Sequence, residues 1–576
     1  MHAEVLVSLA LRQVDKVFHY NVPPSLAGRV HIGSRVLVPF GRRKLEGYVV
    51  GFSPAPDPVD LKDVAALLDE GPLFTSHQLA LARWLAAYYL CPTVKALRTI
   101  IWPLLQVKGP KKVRGLWPVP GSAAPDPRRA PKSAAVWGVI QARPGLSRQE
   151  LARESGVSPR VVDAMIARGF LRTEERIEPR DPCQNLPCKW VDSPVLNEEQ
   201  LQAVNKIMEA LDQNSGRRVF LLHGVTGSGK TEVYLHAIAA TLARGKQAMM
   251  LVPEIALTPQ MIDIFRGRFG RQVAVLHSRL SDGERYDEYQ RLRTGEAGVV
   301  LGARSAIFAP LERPGLIILD EEHEPSYKQE ESPRYHARTV ALRLAGYCGA
   351  VVVLGSATPS LESYSQAVGS GTYHLLEMPR RVGELPLPSV HVVDLRRELY
   401  EGNKGIFSRA LQDAITWRLS RREQVILFLN RRGYSTLVVC RECGLVLKCP
   451  HCDISLTYHV SGRLRCHYCN YNILAPSLCP GCGSRHVSYL GMGTQKVEQE
   501  VRRLFPTARI LRLDSDTVTR RDAHREIVNS FREGEVDILI GTQMVAKGLD
   551  VPGVTLVGVI NADISLHMPD FRASER

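Results

Sequence analysis

No stretch of this chain carries the roughly 18–20 uninterrupted apolar residues that a membrane-spanning helix needs, so a bilayer span has no candidate. Acidic residues are in short supply: 59 Asp and Glu stand against 74 Lys and Arg, a formal net charge of +15. That imbalance leans toward an anionic partner such as nucleic acid. The N-terminal residues are not expected to be a secretory leader. The apolar run Val5 to Leu11 is too short and is followed at once by Arg12, Asp15 and Lys16. Cysteine is sparse everywhere but one place. Cys91, Cys183, Cys188 and Cys348 are scattered and read as reduced thiols, whereas the other eight of the 12 lie between 440 and 482. A disulfide-stapled secreted scaffold is thereby excluded, and a cytoplasmic location is expected.

The clustered cysteines form four Cys-x-x-Cys pairs: Cys440/Cys443, Cys449/Cys452, Cys466/Cys469 and Cys479/Cys482. Two thiolates separated by two residues reach one ion from a tight turn, and zinc takes four of them in a tetrahedron. Eight thiolates make two closed sites with no open position, so two structural Zn²⁺ ions are expected. Spacing leaves the pairing of the four turns open.

A length of 576 residues allows about three to five domains. Residues 1–105 show short β-rich runs (Ala3–Val7, Arg35–Val38, Gly47–Val50) punctuated by Pro23-Pro24, Gly33 and Pro39-Phe40-Gly41. They predict a small barrel or sandwich with a helical stretch at 76–90. Residues 106–132 read as a basic Pro/Gly-rich linker. Residues 133–180 hold two short amphipathic helices around Gly156, a helix-turn-helix pattern that is expected to be winged. Residues 193–385 alternate continuous apolar runs (219–222, 248–252, 273–276, 298–301, 316–319, 350–354) with helical stretches. This is the pattern of a parallel sheet covered on both faces. A second such set fills 386–576 (425–429, 510–513, 536–540, 555–560), with the cysteine-rich segment 436–486 inserted in it. The fold class is therefore multidomain α/β, with two parallel-sheet lobes.

The segment Gly224-Val225-Thr226-Gly227-Ser228-Gly229-Lys230-Thr231 follows an apolar run and opens a helix. This is the phosphate-binding loop in its proper context. Backbone N–H groups and the helix N-terminus receive phosphate, Lys230 reaches the β- and γ-phosphates, and Thr231 holds Mg²⁺. Leu316-Ile-Ile-Leu-Asp320-Glu321-Glu322-His323 places acids at the end of a buried strand. Asp320 is the Mg²⁺-side carboxylate, and Glu321 is placed to orient or deprotonate water. ATP and Mg²⁺ are the expected cofactors beside zinc. Tyr327, Lys328, Tyr335 and Arg338 interleave aromatic and basic side chains just beyond, which suits stacking on single-stranded bases with phosphate contact.

With its Asp-Glu-Glu-His box the chain resembles helicase superfamily 2, whose lobes are RecA-like, and further segments stand in the matching order. Leu196-Asn-Glu-Glu-Gln200 resembles the adenine-contacting segment, with Gln200 as reader. Val252 to Pro259 and Gly302-Ala-Arg304-Ser305 resemble the lobe-one segments that hold the DNA backbone. Gly355-Ser356-Ala-Thr358-Pro resembles the motif coupling hydrolysis to DNA movement. Phe428 to Tyr434 and Gly541-Thr542-Gln543 onward to Asp550 resemble the lobe-two counterparts. The four-pair insert after Asn430-Arg431-Arg432-Gly433 narrows the resemblance to the PriA family of bacterial primosomal replication-restart helicases. That resemblance covers essentially the whole chain. It implies two nested zinc sites, one of Cys440, Cys443, Cys479 and Cys482 and one of Cys449, Cys452, Cys466 and Cys469. It implies a barrel pocket for a DNA 3′ end at Phe18, Gly41 and Lys62, with His19 where relatives can carry an acid. It also implies 3′ to 5′ unwinding of branched and single-stranded DNA at stalled forks. The implied partners are primosome proteins, single-stranded-DNA-binding protein and the replicative helicase with its loader.

Beyond Asp570-Phe-Arg-Ala-Ser-Glu-Arg576 the resemblance implies a Gln-x-x-Gly-Arg-x-Gly-Arg motif and a C-terminal domain. An arginine reaching the γ-phosphate contributes about 10³ to 10⁵ in rate. The chain as it stands is thus expected to bind nucleotide and hydrolyse it weakly. The rival expectation to a working motor is a fork-binding scaffold with an inert one; an RNA translocase is a third, against which the zinc insert and barrel weigh.

Overall fold

The computed structural model describes residues 2–10, 13, 15–54, 61–69, 71–105, 109, 111–177, 180, 182, 193–213, 218–254, 257–384, 386–429, 436–459, 461–490, 493–514, 523–542, 551–564, 566–567 and 572–575. They gather into two compact units. One comprises 1–254, 262–359 and 363–382; the other comprises 255–261, 360–362 and 383–576.

In the first unit, β1 (His2–Val7), β2 (Val17–Asn21), β3 (Arg35–Phe40), β4 (Arg43–Ser53) and β5 (Ala66–Leu67) form an antiparallel sheet in the order β2-β1-β4-β3-β5. Asn21 N–H donates to Lys62 O (3.0 Å) and Val64 N–H to Asn21 O (2.9 Å). The segment entering β5 thus meets β2, and the sheet curls into a small barrel around Ala3, Val5, Val36, Val38 and Val49. Helix α1 (Ser76–Tyr88) starts at a reciprocal cap in which Thr75 and Gln78 satisfy each other's backbone N–H. Helix α2 (Thr93–Leu105) follows, an element not expected from the sequence. Its buried Val94, Leu97, Ile101 and Leu104 keep the helical spacing, which the internal Pro103 obscures.

The apolar faces of α1 and α2 take Leu6, Tyr48 and Val50 from the barrel and continue into Leu251, Phe308, Ile317 and Val340 as a single core. One polar cluster pins this union. Gln78 Nε2 donates to Tyr289 Oη (3.1 Å) and Phe308 O (2.8 Å), and Tyr289 Oη lies 3.0 Å from Ile100 O. The two helices are therefore part of the motor lobe's own core, not a separate covering of the barrel.

Residues 112–118, expected as linker, form β6 (Lys112–Pro118). Helices α3 (Pro131–Ala142), α4 (Arg148–Glu154) and α5 (Pro159–Ala167) follow, and β7 (Leu171–Ile177) returns antiparallel to β6, Lys112 opposite Ile177. The strand's basic and glycine residues disguised it, because its partner β7 lies nearly sixty residues on. Three helices and a two-stranded wing enclose Val136, Ile140, Leu151, Val162 and Met165, which is the winged-helix architecture.

The motor lobe begins with α6 (Glu198–Asp212), β8 (Val219–Gly224), α7 (Lys230–Ala243), β9 (Gln247–Leu251), α8 (Pro259–Phe269), β10 (Val273–Leu276), α9 (Asp282–Arg293) and β11 (Val299–Gly302). It is completed by β12 (Pro314–Asp320), α10 (Ala337–Cys348), β13 (Val351–Ser356), α11 (Leu361–Val368) and β14 (His374–Met378). The seven strands are all parallel, in the order β10-β11-β9-β12-β13-β8-β14. Near-continuous apolar residues in β9 to β13 are what burial on both faces demands.

The second unit carries α12 (Leu395–Tyr400), α13 (Arg409–Ser420) and β15 (Gln424–Leu429). The insert follows with β16 (Thr436–Cys440), β17 (Thr457–His459), β18 (Arg463–Arg465), β19 (Asn472–Leu474) and β20 (Val487–Leu490), an antiparallel sheet in the order β19-β18-β17-β16-β20. Then come α14 (Thr494–Leu504), β21 (Ile510–Leu513), α15 (Ala523–Arg532), β22 (Ile538–Gly541) and β23 (Val554–Ile560). Strands β21-β22-β15-β23 make a four-stranded parallel sheet. Residues Asn430 to Tyr434 and Gln543 to Asp550 of the lobe-two segments, Ile255 and Ala256 of the lobe-one segment, and Cys183 and Cys188 lie outside the described residues. No helix among the described residues is long and apolar enough to cross a membrane.

Candidate nucleotide and nucleic-acid sites

Strand β8 delivers the glycine-rich loop and α7 receives it at Lys230, with Thr231 in the helix's first turn. Lys230 Nζ donates to Gly224 O at 2.8 Å, so the ammonium lies folded across the loop. Thr226 and Gly227 are exposed, Val225 is half-buried, and Ser228 is buried beneath them. Gln200 is almost wholly buried. Its amide nitrogen donates to Ser228 O (3.1 Å) and its amide oxygen accepts from Asn197 N–H (2.9 Å). The residue expected to read adenine therefore braces the loop and caps α6. Arg381 was not legible as a site residue; its Nε would stand 3.0 Å from a Cβ placed on Gly227. The chain after β14 thus brings a guanidinium over the loop.

Asp320 closes β12, next to β13 in the sheet. Tyr234 of α7, fully buried, donates its hydroxyl to Asp320 Oδ1 at 2.9 Å. This tyrosine was not legible as a site residue. Burial, together with the charge of Glu321, lifts the Asp320 carboxyl to about 6, against the opposing pull of the Tyr234 hydroxyl and Lys230. Glu321 turns the chain with φ of +48°, a conformation costing a non-glycine residue on the order of 1 kcal/mol or more. Its Oε2 is 3.6 Å from His323 Nδ1, and that nitrogen is 2.8 Å from Ser356 Oγ. Ser356 Oγ also accepts from Thr358 N–H at 2.9 Å. A continuous line thus joins the acid after β12 to the turn after β13. Gly355 leaves no room for a side chain there, since a Cβ would lie 1.7 Å from the Tyr234 hydroxyl.

Among the expected DNA-contacting residues, the structure corrects three. Tyr327 is fully buried, its hydroxyl 2.7 Å from Asp320 O and 3.0 Å from Leu251 O. Tyr335 is 2% exposed and packs edge-on against Phe308, ring centroids 4.9 Å apart. Neither ring is open to a base. Arg338 donates to the fully buried Glu322 (2.6 Å) and to Ser363 Oγ (2.9 Å), and Ser363 donates to the same carboxylate. Removing one partner of a buried ion pair costs about 3–5 kcal/mol. Arg338→Ala should therefore lower the denaturant midpoint of the first unit strongly while DNA affinity per folded molecule stays put. Unchanged stability with lost DNA binding would restore the original reading.

Arg304 and Lys328 stand nearer the solvent. Arg304 donates to Ser326 O (3.2 Å) and Lys328 O (2.6 Å) and lies 5.8 Å above the Tyr335 ring. Lys328 is exposed, its ammonium 5.5 Å from the Tyr89 ring. Thr358 is exposed and Ser356 buried; Thr542, at the end of β22, is buried too. In the barrel, the half-buried Phe18 packs edge-on against Phe40 (5.2 Å), beside the open turn at Gly41. Exposed Lys62 meets β2 at Asn21, three residues along. Glu4, opposite His19 in the β1–β2 register, brings a carboxylate oxygen to 3.9 Å from His19 Nε2.

The eight cysteines converge as two sets, Cys440, Cys443, Cys479 and Cys482, and Cys449, Cys452, Cys466 and Cys469. Within each, all four sulfurs lie within 4.8 Å of one another. Cross-pairs include Cys440–Cys482 (3.6 Å), Cys443–Cys479 (3.6 Å) and Cys449–Cys469 (3.5 Å). A Zn–S bond of about 2.3 Å sets tetrahedral edges of about 3.8 Å, so both sets fit Zn²⁺. The four turns are alike. The residue after each second cysteine (Gly444, Asp453, Asn470, Gly483) has positive φ and donates its N–H to the carbonyl of the first. Gly, Asp and Asn tolerate that conformation best.

Comparison with known proteins matches four parts of the chain. Residues 4–102 match the 3′DNA-binding domain (3′BD) of PriA, residues 197–367 the DEAD/DEAH box helicase domain, residues 449–473 the PriA DNA helicase Cys-rich region, and residues 487–572 the helicase conserved C-terminal domain. The chain is 42% identical to the replication restart protein PriA of Bacillus subtilis (strain 168), covering all of this chain and 80% of that one. It is 38% identical to the Synechocystis protein of the same name, over 100% and 79%, and 38% identical to that of Haemophilus influenzae, over 99% and 78%.

Proposed function

Because this chain belongs to the PriA family of replication restart proteins, we propose that it is an ATP-driven DNA helicase. It unwinds 3′ to 5′ at stalled or branched forks and prepares them for primosome assembly and reloading of the replicative helicase. The observation that carries the reading is the Tyr234 bridge. Through it α7, which begins at the phosphate-loop lysine, holds the acid closing β12. That joins both halves of a nucleotide site in one lobe.

In this reading Lys230, released from Gly224 O, neutralises the β- and γ-phosphates, and the N–H groups of Gly227 to Thr231 receive them. Thr231 and Asp320 would hold Mg²⁺, which when bound would supply positive charge against the phosphates. Glu321 orients the attacking water and takes its proton. The line Glu321–His323–Ser356–Thr358 then passes a change at the γ-phosphate to the turn after β13. Gln200 keeps the loop in place, and Arg304 and Lys328 contact the strand. The two zinc ions hold the insert's shape and take no part in hydrolysis. Protein partners, including the single-stranded-DNA-binding protein and the helicase loader, follow from family membership alone.

The test pairs DNA-stimulated ATP turnover with strand displacement on forks bearing single-stranded tails of either polarity. Stimulation by single strands, with displacement only where a 3′ to 5′ track exists, is expected. Turnover indifferent to DNA, or the opposite polarity, would sink the proposal.

A further inference from the structure

Within the first unit, a cleft of about 1200 Å³ opens between α2 and the motor lobe. One wall is a stripe of α2, Lys95, Arg98, Thr99 and Trp102, spaced i, i+3, i+4 and i+7 so that all four share a face, with Arg98 and Trp102 exposed and Lys95 and Thr99 half-buried. The opposite wall comprises Val252 to Glu254, Ala303 to Ser305 and the loop 325–332. Trp102 is 47% exposed, although tryptophan is highly buried on average. Five basic side chains line the cleft (Lys95, Arg98, Arg285, Arg304, Lys328) against three acidic ones (Glu254, Glu330, Glu331). Glu254 already accepts from the Ser278 hydroxyl, while Glu330 and Glu331 sit exposed on the loop.

We infer that this cleft holds single-stranded DNA, with Trp102 as a base-stacking platform and Arg98 as a phosphate contact supplied by α2 from outside the motor motifs. A half-exposed indole among cations suits a ligand that is both a polyanion and a stack of flat apolar faces. An intact duplex keeps its bases stacked on each other and offers Trp102 nothing. Tyr327 and Tyr335, which the sequence offered as stacking residues, are closed off in the core behind the same cleft, so Trp102 takes the place they leave. Position matters as much as chemistry. Because α2 shares the motor lobe's core and is pinned to it through Tyr289 and Ile100, the platform stays fixed relative to Arg304 while a strand crosses it.

This inference rests on the helicase reading, and its test separates the two. An oligonucleotide with a blocked 3′ end, which removes end-capture by the barrel, is titrated by fluorescence anisotropy at several salt concentrations, alongside DNA-stimulated ATPase and binding of a fluorescent nucleotide. Trp102→Ala should weaken binding about 5- to 150-fold, the range for loss of one stacked base, with the salt slope unchanged and Trp102→Phe restoring most of it. Arg98→Ala should lower the slope of log affinity against log salt by about 0.7, the value for one phosphate contact on a single strand. Nucleotide binding should not change in either variant. If the unaltered chain is stimulated by DNA and both variants match it, this inference falls and the helicase reading stands. If the unaltered chain neither binds single strands nor responds to them, both fall.

Discussion

Glu321→Gln should slow ATP hydrolysis by about 10²- to 10⁴-fold, the usual contribution of a positioned general base, without weakening nucleotide binding. The expectation comes from geometry. Glu321 leaves β12 in a left-handed conformation beside Asp320 and faces His323, which in turn meets Ser356. A glutamine keeps the size and the hydrogen-bonding reach of the side chain but cannot take a proton, so binding and chemistry part company. The companion change Asp320→Asn should instead weaken Mg²⁺-dependent nucleotide binding, because it removes the carboxylate expected to face the metal. Measuring the fluorescent-nucleotide dissociation constant and single-turnover hydrolysis on both variants decides the assignment. Turnover by the glutamine variant within a few-fold of the parent would move the base elsewhere.

Stripping zinc should dismantle the segment 436–486 while leaving the seven-stranded sheet of the first unit protected. The insert's own core is small, built around Val438, Leu456 and Leu464 together with Cys449 and Cys466 themselves. So few apolar residues cannot hold five short strands by burial alone. Structural zinc in comparable small domains contributes on the order of 10–16 kcal/mol per ion, which exceeds the entire stability of most domains. Elemental analysis should find two zinc ions per chain. After treatment with a strong chelator, hydrogen exchange should accelerate in β16 to β20 and stay slow in β9, β12 and β13. A Cys466→Ser variant should lose one ion first, since the two sets share no ligand. One zinc per chain, or a chelated insert that keeps its protection, would refute the assignment.

Much of this was legible in the chain itself, where chemistry is written in local spacing. The four Cys-x-x-Cys turns carry their own confirmation one residue on, in Gly444, Asp453, Asn470 and Gly483, the residue types that accept a positive φ. The phosphate loop and Asp320 were likewise visible, because each needs only a strand, a turn and a helix start in immediate succession. Most strands of the two parallel sheets stood out as near-continuous apolar runs, since two-sided burial removes the alternation.

What the sequence misjudged were partnerships between residues far apart. Tyr327 and Tyr335, lying beside lysine and arginine, have the look of a surface stacking platform. Their fate is set by Leu251, Asp320 and Phe308, and the first and last of these come from other parts of the fold. Arg338 looked free to meet phosphate until Glu322 and Ser363 arrived from two other segments. Strand β6 passed for linker because β7 lies nearly sixty residues later, and α2 passed unread although it carries Trp102.

The sequence by itself therefore determined the family, the two zinc sites, the phosphate loop and the order of the lobes. These depend on residue type at fixed short spacing, which backbone geometry turns directly into a shape. Only the tertiary structure decided which aromatic and basic side chains face solvent, which acid Tyr234 holds, and that α1 and α2 belong to the motor's core. Burial and pairing are properties of chain segments brought together by packing, and no local pattern encodes which distant segment arrives.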